Sequence, residues 1–335
     1  MKIILTGIKP TGVPHIGNYF GAIKPAIDSA KLHQVRADKS VNGACSAYFF
    51  IADYHALTTV KNAQELKEYI RQIACTWLAC GLSPTSVVFY KQSAIPEIFE
   101  LATILSNYTP KGLLNRAHAY KDITQNKAKG DEEVNMGLFN YPLLMAADIL
   151  AFGTTDVPVG KDQKQHVEIA QGIARAFNAI HGEILTVPNV QIKSDVATIS
   201  GLDGRKMSKS YGNQIPLFAS SKELESYIKK IKTDSSLPTD PKSTDCDIFA
   251  MYKLFASKEE VKEMATKFAK GIGWGEVKKE LFRVADREIT PLRDMYKYFQ
   301  DRPENVEEIL NRGAEEARQM ARTTLQMVRS AIGVI

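Results

Sequence analysis

Cysteine is scarce, and where it occurs it is not patterned. The four cysteines, Cys45, Cys75, Cys80 and Cys246, form no CxxC pair, which argues against a zinc ribbon. Cys75 and Cys80 fall in a helical pattern and read as buried thiols. No apolar run approaches the roughly 20 residues that span a bilayer, so no membrane-spanning helix is expected. After Lys2 only a few apolar residues follow, too few for a signal peptide, and a cytoplasmic protein is expected. A large excess of one charge is also missing. The balance of 43 Lys and Arg against 38 Asp and Glu leaves +5, which permits a nucleic-acid partner without demanding one. There are no internal repeats or low-complexity segments.

What is present is an ordinary globular composition, 44% hydrophobic and 24% charged, over 335 residues, enough for two domains. Apolar runs at Ile3–Leu5, Ala47–Ala52, Ser86–Tyr90 and Thr155–Val159 read as strands, with Ile184–Val187 and Val196–Ile199 as further candidates. Between them lie helical patterns over Tyr19–Leu32, Asn62–Leu82, Ile95–Tyr108, Lys111–Ala119, Val134–Phe152 and from Gly160 to about Ile180. Arg36–Ser46 reads as a surface loop and Lys121–Glu133 as a mobile one. This alternation predicts an α/β fold, a Rossmann-like doubly wound parallel sheet whose ligands sit at the C-terminal strand ends. Beyond Pro216 strand signals cease. Helical patterns cover Ser221–Lys232, Ile248–Ala256, Lys258–Lys270, Glu276–Phe299 and Val306–Ile332. The expected division is a catalytic domain over 1–216 and an all-helical domain over 217–335.

The first strand runs into Lys9-Pro10-Thr11-Gly12-Val13-Pro14-His15-Ile16-Gly17-Asn18 and then a helix. Free N–H groups and the positive end of the helix dipole meet there, which suits a phosphate; Gly12 and Gly17 admit close approach, and His15 and Asn18 can donate to its oxygens. Such turns are common and most bind nothing. A second stretch, Lys206-Met207-Ser208-Lys209-Ser210, could close on the same phosphates from the other side.

HIGN followed at long range by KMSKS is a specific pair, and it resembles the signature of class I aminoacyl-tRNA synthetases. Within that class the chain is similar, over nearly its whole length, to the bacterial tryptophanyl-tRNA synthetases. The resemblance implies activation of L-tryptophan by ATP, with release of pyrophosphate, and transfer to tRNA(Trp). It implies ATP contacts at Lys9, Pro10, Thr11, Gly17, Asn18, Gly160, Lys161, Asp162, Ile199, Lys206, Met207, Ser208, Lys209 and Ser210. His15, Asn18, Lys206 and Lys209 would be the catalytic set. Asp162 is placed to bind the ribose or to cap the next helix, and both readings stand. The amino acid would be met by Asp148, Met145, Tyr141, Gln163 and His55. Asp148 sits in an apolar helix, where a carboxylate needs a partner; an indole N–H is one, and an ion pair with a nearby lysine or arginine is the alternative. Mg²⁺ would arrive with the ATP, since no dedicated metal cage is visible. Some members carry an iron–sulfur cluster on four cysteines of the helical domain; with Cys246 alone there, none is expected. A homodimer is implied, with Ile95–Ala119 as candidate interface; the cluster Lys222, Lys229, Lys230 and Lys232 reads either as a solvated helix face or, as the resemblance implies, as tRNA contacts.

Several positions depart from the family pattern. Lys9 stands where glutamine is usual, His15 where threonine is frequent, and Leu5 and Ala52 replace larger pocket residues. Residues 36–46 look like an insertion, and the loop before Lys206 is short. A tyrosyl enzyme, a small-molecule nucleotidyltransferase and a non-catalytic paralogue are the competing readings; the MAAD segment, the large helical region and the intact signatures argue against them in turn.

Overall fold

A computed structural model describes residues 2–36, 47–115, 134–192 and 199–335. Five strands form one parallel sheet in the order 3-2-1-4-5: β1 (Ile4–Ile8), β2 (Ala47–Ile51), β3 (Val88–Lys91), β4 (Asp156–Val159) and β5 (Asn189–Ile192). β1 lies in full register with β2, from Ile4 opposite Ala47 to Ile8 opposite Ile51, and meets β4 at Ile4–Asp156. The strand order therefore reverses beside β1, and the crevice opens there, at the C-terminal ends of β1 and β4.

All five residues of β2 are buried, as a parallel strand covered on both faces requires. Alternate side chains serve two cores. Leu5, Tyr48, Phe50 and Tyr90 pack with the helices Pro96–Ser106, Met136–Leu150 and Lys164–His181. Phe49 and Ile51 pack with Trp77 on the helix Ala63–Ala79 and with Ile27 on Lys24–Arg36. A third core holds Ile16, Met207 and the helices Ser221–Lys229, Asp247–Phe255, Lys258–Lys270 and the first half of Trp274–Gln300. The last helix, Pro303–Ala331, returns to the sheet and lies along the edge strand β3. Gly313 makes that approach possible: a Cβ there would stand 2.0 Å from the carbonyl oxygen of Phe89.

Three expectations change. The helix after the first loop is not uniform: an α-turn at Ile16–Asn18 leads into a π-helical segment, Tyr19–Ile23, before Lys24–Arg36. Ile184–Val187 is not a strand; β5 begins at Asn189. The reason is Asn178, whose side-chain carbonyl accepts from the Leu185 N–H at 2.9 Å and whose amide donates to the Leu185 carbonyl at 2.8 Å. Those backbone groups are satisfied by a side chain instead of a sheet neighbour. Of the two thiols read as buried, Cys75 is fully so and Cys80, at the helix end, only partly. The loop readings over 37–46 and 121–133, the end of one helical reading at 116–119, and 196–198 of the last strand candidate lie outside the described residues.

Candidate active site

The first loop is shaped by its own side chains. The Asn18 N–H donates to His15 Nδ1 at 3.2 Å, and the His15 N–H donates to Asn18 Oδ1 at 3.0 Å. This reciprocal cap satisfies two of the free donors at the helix start. His15 is almost fully buried, and burial, with the Lys209 cation nearby, pushes its pKa down to about 4. The ring is therefore neutral near pH 7, with Nδ1 as acceptor and Nε2–H as its donor. Gly17 stands where a Cβ would press on the His15 ring at 2.9 Å, and Gly12 has φ 107°, a conformation only glycine adopts cheaply.

The KMSKS segment comes to this loop. The Ile16 N–H donates to the Ile215 carbonyl at 3.0 Å, and the Leu217 N–H to the Pro14 carbonyl at 3.0 Å, a two-bond clasp that crosses about 200 residues of chain. Lys209 Nζ donates to the Thr11 carbonyl at 2.8 Å. Met207 is buried in one core with Ile16, and its N–H donates to the Ile199 carbonyl at 2.8 Å. The Ser208 and Ser210 hydroxyls share a bond of 2.8 Å. Lys206 is exposed and has no ion pair among the described residues, while its backbone bridges Ser200. Thus Thr11, His15, Gly17, Asn18, Ile199 and the five signature residues form one contiguous group. Lys9 stands at its edge, donating to the Thr58 hydroxyl at 2.7 Å, with Pro10 buried beside it.

Gly160 and the 3-10 turn Lys161–Gln163 follow β4, the neighbour of β1, and so open on the same crevice. The side chain of Asp162 lies outside the described residues, and the N-cap position of the following helix is held by Gln163.

Of the residues read for the amino acid, the structure brings His55 and Asp148 into direct contact, while Gln163 lies in the turn after β4. Asp148 is completely buried. Its partners are neither lysine nor arginine: His55 Nε2 lies 2.9 Å from Oδ2, and Gln92 Nε2 donates to Oδ1 at 2.9 Å and Oδ2 at 3.0 Å. Burial raises the Asp148 pKa, and the His55 and Gln92 contacts oppose that rise. A carboxylate offers about four acceptor positions, so capacity remains for a further donor. The wall beside it is aromatic. Phe50 leans over Gly7, where a Cβ would stand 2.4 Å from the ring, and stacks on Tyr90 at 5.8 Å. Met145 packs against this core, and the Tyr141 hydroxyl meets His166 Nε2 at 2.5 Å. Gln163 is half-buried in the turn after β4.

Sequence patterns do not single out Gln92, although it follows a strand as Asp53 does. The two loops are bolted together, since Ser93 donates to Asp53 from both its N–H, at 3.0 Å, and its hydroxyl, at 2.5 Å. Among the described residues no group of three or more His, Cys, Asp and Glu could hold a metal, and no helix is long and apolar enough to cross a membrane.

A parallel 3-2-1-4-5 sheet whose first-loop HIGN is clasped to a distant KMSKS is the catalytic unit of a class I aminoacyl-tRNA synthetase. The model of one family, "tRNA synthetases class I (W and Y)", matches residues 1–290. A tryptophan–tRNA ligase of Bordetella parapertussis is 45% identical over 338 residues, covering 99% of this chain and 73% of the relative. One of Neisseria meningitidis is 44% identical over 339 residues, covering 99% and 98%. A tryptophanyl-tRNA synthetase of Campylobacter jejuni, solved with ADP and tryptophan, is 42% identical with a TM-score of 0.89, covering 99% and 100%. The chain belongs to the class I tRNA synthetases of the W and Y family.

Proposed function

We infer that the chain works as a tryptophan–tRNA ligase, the activity for which its relatives are named. An oxygen of the tryptophan carboxylate attacks the α-phosphorus of ATP, the bond to the β-phosphate breaks, and pyrophosphate leaves. A hydroxyl of the terminal ribose of tRNA(Trp) then attacks the carbonyl of the adenylate and AMP leaves. Catalysis of the first step is positioning and charge stabilisation. Lys206 and Lys209 serve the departing pyrophosphate; His15, Gly17 and Asn18 with Lys9, Pro10 and Thr11 hold the triphosphate from the first-loop side. Gly160, Lys161, Asp162 and the Ile199 backbone serve the ribose and adenine. The signature residues offer ammonium, amide, imidazole and hydroxyl groups and no carboxylate, so Mg²⁺ enters as part of the ATP substrate, ligated by phosphates.

The observation that carries the amino acid is Asp148, a buried carboxylate fixed by Gln92 and His55 beside the Phe50–Tyr90 wall. It accepts the indole N–H, with Met145 against the ring and Tyr141 and Gln163 near the ammonium group. The catalytic unit is residues 1–216 and the helical unit 217–335 serves the tRNA. The protein acts in the cytoplasm as a homodimer whose interface lies over 95–119, of which 116–119 fall outside the described residues.

ATP–pyrophosphate exchange with each of the twenty amino acids tests this reading. Exchange with tryptophan alone is expected; preference for tyrosine would end it.

A further inference from the structure

The lysine-bearing loop is organised around one buried amide that lies outside its signature. Asn213 is 4% exposed. Its Oδ1 accepts from the Ser208 N–H at 2.9 Å. Its Nδ2 donates to Asp203 Oδ1 at 2.6 Å and, at longer range, to the carbonyls of Lys206 at 3.2 Å and Arg205 at 3.3 Å. Its own backbone carbonyl accepts from the Leu202 N–H at 2.9 Å. One residue thus binds the limb before the signature, the carbonyl of its first lysine and the amide that opens the turn Lys209–Tyr211.

Two glycines put the side chain there. Gly212, at φ 63°, turns the chain back beneath the loop. Gly201 leaves the space the amide fills, since a Cβ would stand 2.4 Å from Asn213 Cγ. Asp203 extends the brace: Arg205 Nε donates to its Oδ2 at 2.7 Å, and the Arg205 guanidinium lies 4.4 Å over the Tyr211 ring. The bonds from Asn213 and Arg205 hold the Asp203 pKa down to about 2. Only an amide carries an acceptor and donors on one short stem, so no other side chain of this size makes these contacts together.

We propose that Asn213 is a positioning residue for adenylate formation: it sets where Lys206 and Lys209 stand, without touching the substrate. The inference rests on the reading of the site as one that forms an adenylate. Lysines that act on charge developing in the transition state are sensitive to small displacements, so loosening their backbone slows the chemistry more than it weakens binding. Asn213→Ala removes every side-chain bond; Asn213→Asp keeps the size and the acceptor but sets a second carboxylate against Asp203.

The test is pyrophosphate exchange on the full chain, with kcat and the KM for tryptophan measured separately, beside thermal unfolding. Both variants should lose at least about tenfold in kcat, with KM for tryptophan within about twofold of wild type. The double variant Asn213→Ala with Lys209→Ala should lose less than the product of the two single losses, because only Lys206 is then left for the amide to place. Amide hydrogen exchange at Ser208 should accelerate in Asn213→Ala, a readout independent of activity. An unchanged kcat, or losses that multiply fully in the double variant, would overturn the role. A wild-type protein that exchanges no pyrophosphate with tryptophan would strike the functional reading instead, and unaltered protection of Ser208 in Asn213→Ala would then still refute the brace.

Discussion

In the proposed function single residues carry the choice of substrate, and one residue carries a pH dependence. For Asp148 the expected outcome is graded. Asp148→Asn retains an acceptor but not the charge, and should activate tryptophan less well, with a smaller preference over phenylalanine. Asp148→Ala should lose more, because Gln92 and His55 are then left facing an apolar void. A site built to bond a substrate donor can reject the analogue lacking it by about 10⁴-fold, and exchange assays with tryptophan, tyrosine and phenylalanine measure how much of that preference each variant keeps. Unchanged selectivity in Asp148→Ala would move the determinant elsewhere. His15 gives the pH prediction. Its pKa falls from the ordinary 6.5 to about 4 on folding, so between those values the unfolded chain binds the extra proton. Stability supplied by this residue is therefore complete above about pH 6.5 and is lost as pH falls towards 4. His15→Asn keeps a capping acceptor and removes the titration; urea unfolding at about pH 4.5 and about pH 7 should show a smaller pH difference for the variant than for wild type. At this scale the sequence is informative where a residue is odd for its surroundings, as with Asp148 in an apolar helix. It is silent on Gln92 and Asn213, because a lone amide has no pattern; its importance arises from partners 56 residues away in one case and from a tight turn in the other.

Elements are legible when periodicity and local chemistry agree. β1 to β4 and most helices fall where apolar spacing predicts them, since these strands are buried at their starts and the helices bury an apolar face against the sheet or in the third core. The misplaced β5 shows the limit. Ile184–Val187 is apolar enough for a strand, but Asn178 captures its backbone. That the two loops meet at one phosphate site follows from residue types and resemblance, but the clasp itself does not, because nothing local to either segment encodes a bond between Ile16 and Ile215. That clasp leaves Lys209 resting on the Thr11 carbonyl. Lys209→Ala should slow adenylate formation by an amount corresponding to about 2–4 kcal/mol of barrier, with a smaller change in ATP binding. Single-turnover rates equal to wild type would remove Lys209 from the catalytic set.

Over the whole molecule, the composition change at Pro216 marks where strands end, but not where the later helices go. Residues 221–289 build a core with Ile16 and Met207, whereas the last helix covers the edge of β3 and ties down to the helix Pro96–Ser106 through Arg318 and Arg322 on Glu97. Covering an edge strand also protects it from foreign pairing. Gly313→Ala should therefore destabilise the fold by about 1–3 kcal/mol, although alanine favours a helix by about 1 kcal/mol; equal unfolding midpoints would show that the helix shifts without cost. The other end of the helical region faces the tRNA in the proposed function. Its two neighbouring lysines are not equivalent. Lys229 is paired with Glu225 at 2.7 Å, so its charge is already partly answered. Lys230 sits 5.8 Å from the Tyr227 ring centre and has no ion pair among the described residues. Lys230→Glu should accordingly raise the KM for tRNA more than Lys229→Glu does. It should also lower the salt dependence of charging by more, since a lysine withdrawn from a phosphate leaves about one counterion in place on the RNA. Pyrophosphate exchange, which needs no tRNA, should stay near wild type in both. Equal effects of the two reversals on charging would mean that overall charge, and not a bond made by Lys230, attracts the tRNA, and parallel losses in exchange would point to a folding defect.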